Sequence, residues 1–136
     1  MNLIIGSHVS YNNKSQLLGS VKEALSYKAN TFMFYTGAPQ NTNRSVIEDS
    51  LTMEAYKLMK ENNIALEKVI VHAPYIVNLA NFNNFDFSVS FLINEVERCS
   101  TLGIKYLVLH PGSAVNCSRE EAINNISKGL NLILDN

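Results

Sequence analysis

A chain of 136 residues suffices for one domain with a real core, and 46% hydrophobic against 17% charged residues is an ordinary globular balance that excludes extended disorder. With 11 basic and 12 acidic residues the net charge is -1, so composition alone argues against a nucleic-acid partner, which usually asks for a basic surplus. No stretch approaches the roughly 18 consecutive apolar residues of a membrane span, and Met1-Asn2-Leu3-Ile4-Ile5-Gly6 lacks the basic flank of a secretory signal, which implies a cytoplasmic protein with no membrane.

In chain order, four short apolar runs read as buried strands: Leu3 to Gly6, Thr31 to Tyr35, Lys68 to Val71 and Lys105 to Leu109. Each is too short for a helix, and near-continuous apolarity is the habit of parallel sheets covered on both faces. Helical periods lie between and after them. Leu17, Val21, Leu25 and Lys28 share one face of the first, and Leu51, Ala55, Leu58 and Met59 mark the second. The third runs from about Asp86 to Leu102 and stops at Gly103, a suitable residue to follow a helix end. Ser118 and Glu121 have the capping-box spacing that opens the fourth, whose stripe is Ala122, Ile126, Leu130 and Ile133.

A strand followed by a helix, four times over, gives an α/β parallel sheet, either doubly wound or part of a barrel. No Gly-x-Gly-x-x-Gly follows the first strand, which disfavours the dinucleotide-binding version. A complete (β/α)8 barrel takes about 250 residues, and this chain reaches Asp135-Asn136 where a fifth strand would begin. Residues 1–136 therefore read as the N-terminal half of a TIM barrel, four β/α units with the rest of the barrel absent. A half-barrel would expose two sheet edges and its inner face, so weak stability, aggregation or self-pairing of half-barrels is expected.

All three histidines, His8, His72 and His110, fall at or just after the C-terminal ends of these strands, where barrels and open α/β sheets place their active sites. Parallel strands lie about 4.8 Å apart, so imidazoles leaving adjacent strand ends can converge on one ion, and His72 with His110 suits that geometry. A catalytic zinc site takes three protein ligands and an open position. Two histidines leave it short of at least a carboxylate. Cys99 and Cys117 lack metal-finger spacing and read as free thiols, Cys117 incidental to the site. Asn12, Asn13, Asn41, Asn43, Asn83 and Asn84 suit turns and caps, and Lys57, Lys60 and Glu61 read as a solvated face.

The flanking segments His72-Ala73-Pro74-Tyr75-Ile76-Val77-Asn78-Leu79-Ala80 and Leu109-His110-Pro111-Gly112-Ser113 resemble signature segments of the endonuclease IV family of zinc-dependent apurinic/apyrimidinic endonucleases. So do Gly6-Ser7-His8-Val9-Ser10, Tyr35-Thr36-Gly37-Ala38-Pro39-Gln40-Asn41-Thr42 and the helical Asn94-Glu95-Val96-Glu97-Arg98-Cys99 with Leu102-Gly103. By that resemblance His72 and His110 bind one of up to three clustered zinc ions, completed by a glutamate from a fifth strand. The implied activity is DNA repair by hydrolysis of the phosphodiester 5′ to an abasic site in double-stranded DNA. Zinc would bind the phosphate, lower the pKa of a bridging water and stabilise the leaving 3′ oxygen, and its charge offsets the objection from net charge.

The resemblance also makes Tyr75 a wedge at the lesion, where an abasic nucleotide costs less to flip than an intact one. It makes Gln40 and Asn41 DNA-contacting, although many relatives carry an arginine hereabouts and this sequence is read as lacking it. His8 becomes a structural residue or a support behind the metal ligands. Two rivals stand beside it: a metal-dependent sugar isomerase or epimerase on the same barrel, and a non-catalytic truncated half-barrel.

Overall fold

A computed structural model describes residues 3–135, so Met1, Asn2 and Asn136 lie outside the description. Four strands, β1 (Gly6–His8), β2 (Thr31–Phe34), β3 (Ile70–His72) and β4 (Tyr106–Val108), alternate with four helices, α1 (Gln16–Ser26), α2 (Asp49–Glu61), α3 (Phe85–Thr101) and α4 (Arg119–Leu134). Short 3-10 turns at Leu66–Lys68 and Phe82–Asn84 lead into β3 and α3. The strands form one parallel sheet in the order β1-β2-β3-β4. Sequential order with every strand parallel is the barrel pattern of winding, one of the two that the repeat allowed.

Alternation along the strands sorts the two faces of the sheet. Phe32, Phe34 and Val71 are buried against the helices, with Leu107 packed beside them. The opposite face carries Ile70 and His72 of β3 and Tyr106 and Val108 of β4, in register as Ile70↔Tyr106 and His72↔Val108. That face is not buried: Tyr106 is 57% and Val108 41% exposed. The expectation of strands buried on both faces is thus corrected for β1 and β4, because among the described residues only one layer, the helices, covers the sheet.

The first strand is also displaced from the expected Leu3 to Gly6, and Leu3, Ile4 and Ile5 are all exposed. Asn30 ties up the backbone there instead of a regular ladder. Its Oδ1 accepts the Ile5 N–H at 2.7 Å, its Nδ2 donates to the Leu3 carbonyl at 2.9 Å, and its own N–H reaches Ile5 O at 3.1 Å. Pairing with β2 begins only at Gly6↔Thr31.

The helix faces follow the sequence periods with one correction. Leu17, Leu18, Val21 and Ala24 of α1 are buried, but Lys28 lies beyond the helix. With φ of 57° it occupies the left-handed position after the C-terminal turn, where the Lys28 and Ala29 N–H groups close back onto Leu25 O and Ala24 O. Gly103 plays the same part after α3 at φ 64°, with Ile104 N–H closing onto Cys99 O at 2.9 Å. The capping box of α4 is present, Ser118 Oγ accepting from Glu121 N–H and the Glu121 carboxylate from Ser118 N–H.

Two apolar clusters result: one joins α1, α2 and the strands, the other joins α3, α4 and the loop from Ala73 to Leu79, and Leu107 touches both. No helix among the described residues is long and apolar enough to cross a membrane.

Candidate metal and nucleic-acid site

The C-terminal ends of the four strands gather a continuous run of rings. The His8 ring packs on Tyr35 at a centroid distance of 4.6 Å, Tyr35 on His72 at 5.1 Å, and His72 on His110 at 5.1 Å. His8 itself stands 6.4 Å from His72, so it reaches that ring mainly through Tyr35. Burial, and then the neighbouring His72, hold the proton affinity of His8 below the ordinary histidine value.

The local chain sets the orientation of His72. Its Nδ1 lies 2.7 Å from the carbonyl oxygen of Ala73. A carbonyl can only accept, so Nδ1 carries a proton, and in the neutral imidazole the lone pair is then on Nε2. This is the tautomer of an imidazole ligand whose second nitrogen is fixed by a hydrogen bond. Ala73 N–H continues the ladder to Val108 O at 2.8 Å, which carries the β3–β4 pairing past His72 towards His110.

The donor set fits zinc in kind and is incomplete in number. The two adjacent imidazoles are suitable nitrogen ligands, yet no group of three His, Cys, Asp or Glu side chains among the described residues could hold a metal ion. Cys117 does not complete the set; its sulfur sits 4.0 Å from the Ala80 carbonyl.

One polar clamp fastens the loops on either side of this pair. Asn78 Oδ1 accepts from Ala80 N–H (3.0 Å) and Ser113 N–H (3.2 Å), and its Nδ2 donates to Ser113 O (3.0 Å). Leu79 N–H adds a bond to Pro111 O at 3.0 Å. Gly112, at φ 131°, presses so closely on Asn78 that a Cβ there would overlap Oδ1. Tyr75, in the β3 loop held by this clamp, is 62% exposed.

The loop between β2 and α2 carries Gln40 and Asn41, both exposed. Asn41 builds its own turn, its Oδ1 accepting from Asn43 N–H at 3.0 Å; Asn12 and Asn81 do the same elsewhere, as expected for turn asparagines. The arginine read as missing from this region is corrected in part: Arg44 belongs to the same loop but turns inward, its Nε 2.5 Å from Glu95 Oε1 with side-chain exposures of 6% and 0%. Glu95, Arg98, Arg44 and Thr36 form a buried polar group that reading by motif did not assign. Its signal was available: Glu95 and Arg98 continue the stripe of Ser88, Leu92 and Cys99, where a charged residue has to find a partner.

Comparison with known proteins places these features. A family profile described as xylose isomerase-like TIM barrel matches residues 21–136. The "Probable endonuclease 4" of Acholeplasma laidlawii (strain PG-8A) is 56% identical over 136 residues, covering 98% of this chain and 46% of the relative. That of Bacillus subtilis (strain 168) is 51% identical over 137 residues, covering 98% and 45%. The crystal structure of endonuclease IV from Thermus thermophilus superposes with a TM-score of 0.74 at 26% identity, over 95% of this chain and 47% of that one. The chain spans about half the length of the curated relatives it matches. It belongs to the xylose isomerase-like TIM barrel family, and within it to the endonuclease IV group.

Proposed function

We propose that the protein carrying this chain is a zinc-dependent DNA-repair endonuclease that acts inside the cell and hydrolyses the phosphodiester 5′ to abasic sites in double-stranded DNA. The observation that carries the reading is the pairing of His72 and His110 at adjacent strand ends, with Nε2 of His72 left free by the bond from Nδ1 to Ala73 O. Relatives named endonuclease 4 support the nuclease class.

His72 and His110 would hold one zinc ion, with a carboxylate from elsewhere in the full barrel completing the three ligands. When bound, zinc supplies Lewis acidity to the phosphate and a water of lowered pKa. The chain's own residues do the rest. Ala73 O keeps His72 in the tautomer that presents Nε2. The Asn78 clamp holds the β3 and β4 loops at a fixed separation, and His8 supports His72 through the Tyr35 ring. Tyr75, exposed on the same rim, wedges into a duplex kinked at the lesion, where no base has to be unstacked. Gln40 and Asn41 contact the DNA from the β2 loop.

The test is incision of a duplex carrying one synthetic abasic site, with zinc, by the 136-residue chain and by a version extended through the second half of the barrel, each beside His72→Ala. Cleavage 5′ to the lesion by the extended protein, lost in His72→Ala, is expected. An extended protein that leaves the duplex intact and interconverts ketoses contradicts the reading. Activity of the shorter chain alone would mean that half-barrels pair into a working site.

A further inference from the structure

We propose that Glu95 and Arg98 of α3, with Arg44, are positioning residues for the loop that presents Gln40 and Asn41, fixing its backbone from beneath. The proposal rests on the DNA-repair reading for the purpose of that loop, and on geometry for its mechanism.

The loop leaves β2 at Phe34 and reaches α2 only at Asp49, a length of irregular chain that would ordinarily be mobile. Its apolar anchor is Ile47, packed on the core at the α2 end, while Val46 is 79% exposed. Its carbonyl oxygens are instead held by two guanidinium groups. Arg44 Nη1 donates to Ala38 O (3.2 Å), Asn41 O (3.1 Å) and Asn43 O (2.8 Å). Arg98 Nη2 donates to Thr36 O (3.0 Å), its Nη1 to Ser45 O (2.8 Å) and its Nε to Thr36 Oγ1 (3.1 Å). The bonded carbonyls recur along the loop, so its path is pinned from one end to the other.

Glu95 fixes the donors in turn. It is fully buried, accepting from Arg44 Nε with Oε1 and from Thr36 Oγ1 with Oε2 at 2.7 Å. The Arg44 guanidinium also lies over the Phe91 ring, 4.8 Å from its centroid. Glu95, Arg98 and Phe91 all belong to α3, so the loop after β2 is keyed to the helix that follows β3 and its Tyr75 loop. One rigid helix thereby sets the relative placement of two rim loops. A carboxylate paired with Arg44 and linked to Arg98 through the Thr36 hydroxyl is costly to bury, and it suits a task needing directional bonds that an apolar anchor cannot make.

Glu95→Gln keeps the shape and removes the charge; Arg44→Lys keeps the charge beside Glu95 and removes the fork, and so covers the case in which the first variant fails to fold. Three quantities are read on the protein extended through the second half of the barrel: amide exchange at Asn41 and Asn43, affinity for zinc chloride, and affinity for a duplex with a tetrahydrofuran abasic analogue against the intact duplex. At least one folded variant should exchange those amides faster and bind the abasic duplex about tenfold more weakly, a loss of preorganisation of about 1.4 kcal/mol, with zinc affinity unchanged. Faster exchange with unchanged abasic affinity would reduce the network to a fold-stabilising element and overturn the proposal, as would unchanged exchange in both variants. A wild-type extended protein with no preference for the abasic duplex contradicts the DNA-repair reading itself, whereas a wild-type preference that survives both substitutions overturns the loop proposal alone.

Discussion

Replacing Asn78 with alanine removes the clamp between the two histidine-bearing loops and nothing else of comparable size. Three hydrogen bonds are lost, to Ala80 N–H, Ser113 N–H and Ser113 O. At about 0.5–1.5 kcal/mol net for each, the sum is about 1.5–4.5 kcal/mol. Half-burial of Asn78 and exposure of Ser113 let water replace part of it, which places the expected cost near ~2 kcal/mol. Gly112→Ala attacks the same contact from the other side. It pays for a φ of 131° and for a Cβ pressed onto Asn78 Oδ1, together about 1–3 kcal/mol. In the double variant the clash disappears and the backbone strain stays, so the two costs should sum to more than the double variant loses. Urea unfolding of the four proteins measures this, and zinc titration reads whether His110 has moved relative to His72. Strict additivity, or an Asn78→Ala midpoint within error of wild type, would refute the clamp as the element that sets the loop separation.

Two further outcomes follow from single side chains. Burial, reinforced by Glu95, pushes the Cys99 thiol up to about 12, so at neutral pH it stays protonated and unreactive, while half-buried Cys117 is accessible. A native thiol titration should count one fast-reacting cysteine, and Cys117→Ser should abolish it. Glu23 accepts hydrogen bonds from the backbone and hydroxyl of Ser10, which hold its carboxyl below the ordinary glutamate value. Because the folded value is the lower one, the stabilisation is complete above the unfolded value and fades as pH falls through the folded value. Protection of the Ser10 amide, taken relative to its intrinsic exchange rate, should therefore fall under acid, and in Glu23→Gln that acid step should vanish.

The alternation of strand and helix and the ends of α3 and α4 were legible because each rests on local chemistry: a glycine at positive φ, a capping box, an apolar stripe. The histidines were legible because parallel winding sends every strand's C-terminus to one rim. Burial of β1 and β4 was misjudged because a strand's apolarity records the faces covered in a whole barrel, and the face bearing Tyr106 and Val108 is open here. The start of β1 escaped because Asn30, far away in sequence, decides the pairing of Leu3 to Ile5. Arg44 and Glu95 escaped for the same reason: a long-range pair gives no periodic signal, and only the misplacement of a charge on a buried stripe hints at it.

Whether His72 and His110 share a metal decides the functional reading, and zinc X-ray absorption on the purified chain asks this directly. Zinc coordination that includes two imidazole nitrogens at about 2.0–2.1 Å, reduced to one in His72→Ala and in His110→Ala alike, is the predicted result. Zinc coordination that is unchanged by both substitutions, or no zinc bound by the wild-type barrel extended through its second half, would contradict it.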